Sequence, residues 1–179
     1  MFDNLNELKN KIAFIDEGNK IKYSDLEKDV SNFKQNISSK KLILIVCNNS
    51  YQSIKNYIAS IKNRNPVILI DEKINKEYLY EYILRYDPDY ISAANNININ
   101  KNFYKKLSIN NNNIIYSAKN ESNNKINSKL AVLIPTSGST GSPKFVKLSY
   151  DNLKTNTKSI ISYLKLNSKD KTILSLPSS

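Results

Sequence analysis

Apolar positions recur along the chain in two rhythms that take turns. Leu26, Val30, Phe33 and Ile37 share one helical face, just after Ser24-Asp25-Leu26-Glu27, which has the spacing of a capping box. Residues 41–47 are then a short apolar run of strand length. Ile54, Tyr57, Ile58 and Ile61 return to helical spacing, and residues 66–70 form a second buried strand closed by Asp71. A third helix is predicted over 75–85, stopping before Asp87-Pro88, because a proline pushes the residue before it out of the helical region. A strand at Tyr90-Ile91-Ser92 completes the repeat. Continuous apolar strands separated by amphipathic helices predict an α/β fold, a largely parallel β-sheet flanked by helices on both faces.

Residues 94–127 break the rhythm. Asn, Lys and Ser dominate, with apolar islands at Phe103-Tyr104 and Ile114-Ile115-Tyr116. The stretch reads as loops around one short strand near 113–117. An interdomain linker is the alternative, and the islands favour a decorated surface of the same domain. Residues 129–134 are again a strand, and from Phe145 to Ser149 apolar and polar positions alternate as in another. A helix capped by Ser149 follows, with Leu153, Ile160, Ile161 and Leu164 on its apolar face. Residues 172–176 read as a last strand ended by Pro177.

Two of the three glycines, Gly138 and Gly141, stand close together between the strands at 129–134 and 145–149. Thr136, Ser137, Ser139 and Thr140 surround them with hydroxyls, Lys144 adds a positive charge, and no acidic residue intervenes. Successive amides in a tight Gly/Ser loop form an anion-binding concavity, and a lysine reinforces it as a point charge. The pattern suits phosphate. It is not a Walker loop, which opens directly into a helix, nor a dinucleotide fingerprint, which needs three glycines at close spacing. A polar hairpin tip with incidental glycines is the plain alternative at this point.

Composition changes the picture little. A chain of 179 residues suits one domain with a substantial core. No segment approaches the ~20 apolar residues of a membrane span. The start of the chain lacks the basic and apolar regions of a signal peptide. Cys47 is the only cysteine and cannot form an internal disulfide, which fits a cytoplasmic protein and a small buried hydrophobe. The formal charge of +11 comes almost wholly from lysines scattered from Lys9 to Lys171, with Arg64 and Arg85 the only arginines. A nucleic-acid reader concentrates its basic residues in a stripe or motif, so a solvated basic surface is the simpler reading.

The run from Thr136 to Lys144 resembles the signature phosphate loop of the adenylate-forming (AMP-binding) superfamily, which includes acyl-CoA synthetases, peptide-synthetase adenylation domains and luciferases. Downstream, residues 148–153 and Asp170 with residues 174–177 resemble the helix and strand that follow in that superfamily; upstream, residues 21–26 and 66–71 do so more weakly. Two positions depart from the common pattern. Phe145 stands where many members have glycine, and Tyr150 where many have histidine, of which this chain has none. Both departures favour an acyl-CoA-synthetase-like branch.

The resemblance implies activation of a small carboxylic acid by Mg-ATP, giving acyl-adenylate and pyrophosphate, then transfer to coenzyme A or a carrier phosphopantetheine. It implies that Thr136, Ser137, Gly138, Ser139, Thr140, Gly141 and Lys144 hold the β- and γ-phosphates. It also implies that the adenine, ribose and magnesium sites and the C-terminal domain with its catalytic lysine lie beyond this length. Residues 1–179 would then be the N-terminal portion of an AMP-binding domain, with no catalytic or metal residue of their own, and inactive alone. The alternative is a non-catalytic basic module that binds nucleotide or nucleic-acid phosphates. Salt-steep duplex binding would mark that alternative.

Overall fold

Ile43–Cys47 (β3) is apolar at every position, so it needs a cover on both faces, and the fold is arranged to supply one. The structure is a computed structural model, which describes residues 8–93, 97–110, 113–120, 122, 125–136 and 144–174. Two short strands, β1 (Ile12–Asp16) and β2 (Asn19–Lys22), form an antiparallel hairpin of their own. Helix α1 (Tyr23–Asn36) leads to β3, α2 (Tyr51–Lys62) to β4 (Val67–Asp71), and α3 (Lys76–Tyr86) to β5 (Tyr90–Ala93). Then come β6 (Tyr104–Asn110), β7 (Asn113–Ala118), β8 (Leu130–Pro135), β9 (Phe145–Ser149) and α4 (Tyr150–Tyr163).

Seven strands make one sheet in the order β6-β7-β5-β3-β4-β8-β9. The central four, β5, β3, β4 and β8, run parallel, and antiparallel strands finish both edges. Side chains of β3 alternate between two apolar clusters. Ile43, Ile45 and Cys47 meet Leu26, Val30 and Phe33 of α1 and Ile58, Ala59 and Ile61 of α2. Leu44 and Val46 meet Leu79, Tyr82 and Ile83 of α3. Burying each large aliphatic side chain contributes about 1.5–3 kcal/mol. Buried polar groups tie the layers: Asp89 accepts from the Leu42 amide at 2.8 Å, and Asn56 on α2 donates to the Ser92 hydroxyl on β5 at 2.6 Å.

The expected α/β architecture is present, with five differences. Helix α1 begins at Tyr23, so Ser24 lies inside its first turn; the end is closed by Asp25, whose carboxylate accepts from the Lys22 amide at 2.9 Å. The hairpin β1–β2 escapes the periodicity because its strands are short and half polar. Its turn, Glu17-Gly18, has φ of 47° and 81°, and the positive value at the second position explains the third glycine. The Asn-rich stretch holds two strands where one is expected. β6 is lysine-rich, as an open sheet edge tolerates. The expected last strand is not seen over 172–174, and 175–176 lie outside the described residues. Helix α4 has the predicted apolar face, yet none of its residues is buried, and Ile160 is 44% and Leu164 57% exposed. Among the described residues, no helix is long and apolar enough to cross a membrane.

Cys47 is 4% exposed, and burial pushes its thiol up to about 12, helped by the Asp71 carboxylate and opposed by a hydrogen bond with the Ile70 backbone. The folded thiol keeps its proton where the unfolded one, near 9.0, loses it. Its contribution to stability is therefore complete below that value and is lost as pH rises toward 12. In mild alkali, native protein should resist iodoacetamide while urea-unfolded protein is alkylated stoichiometrically. Equal labelling rates in the two states would contradict the closed core.

Candidate functional site

Strands β8 and β9 pair antiparallel, with Ile134 opposite Val146 and Pro135 opposite Phe145. One step further, the Thr136 amide donates to the Lys144 carbonyl at 2.8 Å and the Thr136 hydroxyl donates to the same oxygen at 3.0 Å. Two donors on one carbonyl clasp the base of the hairpin. Of the candidate phosphate-binding residues, the structure places Thr136 and Lys144 and joins them directly. Ser137, Gly138, Ser139, Thr140 and Gly141 lie outside the described residues. The clasp occupies the Thr136 hydroxyl proton. Lys144 is exposed, with its ammonium free to meet solvent-borne anions.

The parallel strands fix where this hairpin emerges. β8 runs beside β4 in parallel, so the clasp stands at the carboxyl ends of the central strands, the usual position of ligands in open α/β sheets. Asn48, which follows β3, shares that end with Asp71 and Glu72. The Asn48 amide side chain donates to the Glu72 carboxylate at 3.1 Å, and the Glu72 amide donates to the Cys47 carbonyl at 2.9 Å. This polar rim was not legible as a site in the sequence, because it arises from strand register. Among the described residues, no three His, Cys, Asp or Glu side chains come together to hold a metal.

Phe145 turns out to be an anchor. Its ring meets Tyr82 of α3 edge-on, with centroids 4.9 Å apart and planes at 84°, and Tyr86 at 4.8 Å and 64°. Such pairs add about 0.5–1.5 kcal/mol beyond the area they bury. The residue after the loop lysine is thereby fixed to the helix layer, which sets where Lys144 leaves the sheet.

Tyr150, the other departure, opens α4. Ser149 caps the helix, accepting from the Asn152 amide at 3.0 Å while the Asn152 side chain accepts from the Ser149 amide at 2.9 Å. The Arg64 guanidinium lies 4.6 Å from the Tyr150 ring centroid. Burial pushes the Tyr150 phenol up, Arg64 opposes this, and Tyr57 adds to it. These contacts give Tyr150 a packing role at the foot of β9.

A central parallel sheet with a clasped hairpin at its carboxyl end defines an α/β domain of the open-sheet class. The sequence model of the AMP-binding enzyme family matches residues 1–179, and the chain belongs to that family. Its fold is similar to that of apo MatB from Rhodopseudomonas palustris, at 16% identity and a TM-score of 0.71, over 98% of this chain and 39% of that one. It is also similar to o-succinylbenzoate CoA synthetase (MenE) from Bacillus subtilis in complex with the acyl-adenylate OSB-AMP, at 16% identity and 0.73, over 95% and 47%. The N-terminal subdomain of Klebsiella oxytoca NpsA, with 3-hydroxybenzoyl-AMSN, matches at 18% and 0.58, over 83% and 40%. The chain thus spans less than half the length of these proteins. No curated protein matches it.

Replacing Phe145 by alanine should destabilise the chain by about 2 kcal/mol, by loss of apolar burial and of two ring contacts. Phe145→Leu should cost less than half of that. Urea unfolding followed by tyrosine fluorescence checks this; an unchanged midpoint for the alanine variant would show that the ring anchors nothing.

Proposed function

We propose that residues 1–179 are the N-terminal portion of the AMP-binding domain of an ATP-dependent carboxylate-activating ligase, one that makes an acyl-adenylate and then a thioester on coenzyme A or a carrier phosphopantetheine. The observation that carries this reading is the clasped hairpin at the carboxyl ends of the parallel strands, in a chain that matches the family along its whole length. The exposed apolar face of α4, with Ile160, Ile161 and Leu164, supports the domain assignment, since such a face invites cover from further polypeptide.

In this reading the hairpin holds the triphosphate in line with the attacking carboxylate. The amides of 137–141 and the hydroxyls of Ser137, Ser139 and Thr140 supply neutral hydrogen bonds to the β and γ oxygens, with Gly138 and Gly141 giving the backbone room to approach. Lys144 supplies the charge, and Thr136 joins once its hydroxyl leaves the Lys144 carbonyl. Donors placed where charge grows on departing pyrophosphate lower the barrier without reorganisation. ATP with Mg2+ is the fitting nucleotide, and the Bacillus subtilis MenE is also known in complex with ATP and magnesium ion. No magnesium ligand or catalytic residue is assigned within 1–179, so the chain alone should be inactive. A cytoplasmic location fits the single buried cysteine.

The test is hydroxylamine trapping of activated acyl groups across a panel of carboxylic acids, using the longer protein. Lys144→Ala should weaken activation by about 1–3 kcal/mol, the range of a charge-assisted contact, with urea stability unchanged because the side chain is exposed. Equal trapping by both proteins would remove Lys144 from the mechanism. Activation of no carboxylate, alongside some other ATP-dependent reaction, would overturn the assignment.

A further inference from the structure

At the edge of the sheet remote from the clasp, β6 and β7 bring four lysines to the rim of one cavity of about 640 Å3. They come from three places in the chain. Lys101 lies in the turn before β6, where the Asn100 side chain accepts from the Asn102 amide at 3.0 Å. Lys105 and Lys106 stand on β6 opposite Ser117 and Tyr116. Lys119 follows β7 and is held by its amide, which donates to the Phe103 carbonyl at 2.9 Å. All four side chains are exposed, and no carboxylate among the described residues pairs with any of them.

The floor of the cavity is apolar. Ile97, Ile99, Tyr104 and Tyr116 line it, and the two phenols already donate inward, Tyr104 to the Pro88 carbonyl at 2.9 Å and Tyr116 to the Ile97 carbonyl at 3.2 Å. Their hydroxyls are spent on the fold, so what the rings offer a visitor is carbon. Polar recognition falls to the ammonium groups.

Guarding an open edge against pairing with another strand accounts for Lys105 and Lys106. It does not account for Lys101 and Lys119, which belong to no edge strand yet converge on the same opening. Gathering like charges without counter-charges costs stability, and an anionic ligand relieves that cost. The cavity has the size and the mixture of apolar floor and few polar groups typical of small-molecule sites.

We propose that this cavity binds a small organic polyanion with a flat apolar body, the body on the Ile97–Tyr104–Tyr116 floor and its negative groups on Lys101, Lys106 and Lys119, since Lys106 shares the face of Tyr116 across the β6–β7 pair while Lys105 lies on the other face. Five strand steps separate β6 from β8, roughly 24 Å at the usual spacing, so the molecule is a different one from any nucleotide at the clasp. The site does not depend on the ligase reading, and its test needs no activity.

The test uses the 1–179 chain and pyranine, a flat trisulfonated pyrene, titrated by fluorescence at low salt. Binding should saturate at one equivalent. Lys106→Glu with Lys119→Glu should weaken it by at least about tenfold. Lys28→Glu with Lys154→Glu, the same change of charge at exposed positions elsewhere, and Lys144→Ala should leave it within about twofold. Inorganic pyrophosphate, an anion without an apolar body, should fail to displace pyranine at equal concentration. Equal weakening by both double variants would reduce the effect to overall charge. Loss of binding in Lys144→Ala would move it to the hairpin. Displacement by pyrophosphate would remove the apolar floor from recognition, and tighter, salt-steep binding of duplex DNA at the same lysines would make the site a nucleic-acid surface; each of these results overturns the proposal.

Discussion

A strand that is apolar on both faces cannot stand at the edge of a sheet or face water, and β3 is such a strand. Satisfying it requires helices on both sides and neighbours on both flanks. Crossovers through α2 and α3 provide these by laying β4 and β5 parallel to β3 on either flank, and β8 extends the array. All four strands then end on the same side. The burial demand of five residues thereby creates an edge where the loops after several parallel strands open together, and the hairpin joining β8 to β9 emerges there. Core and candidate site are consequences of one constraint.

What that edge does with an anion depends on how firmly the hairpin is held at its base. The Thr136 clasp closes the loop from one side, and Phe145, wedged on Tyr82 and Tyr86, fixes the strand leaving it. In a position where glycine is common, a large ring thus replaces backbone freedom with side-chain packing. The arrangement holds the Lys144 backbone while leaving its side chain in solvent. That combination suits the role proposed for Lys144, a flexible point charge carried on a fixed backbone.

Much of the fold was legible because β3, β4, β8 and the faces of α1 and α2 obey strong periodicities. The candidate hairpin stood out for a different reason: in a glycine-poor chain, Gly138 and Gly141 stand close together in the sequence. What escaped was set by long-range contact. Strand β6 hides behind Lys105 and Lys106, which an open edge tolerates and a buried strand would not. The role of Phe145 depends on α3, more than fifty residues earlier, and no local pattern connects the two. The lysines around the cavity of β6 and β7 looked scattered because Lys101 and Lys119 meet only through the β6–β7 pairing.

The account rests on the hairpin being an anion site built from backbone amides. The most direct measurement is a titration of the 15N-labelled 1–179 chain with inorganic pyrophosphate, following amide shifts and the Lys144 side chain. The account predicts a saturable response concentrated at residues 137–141 and at Lys144, weakened in Lys144→Ala. A saturable response confined to other lysines, with the amides of 137–141 unmoved, would contradict it.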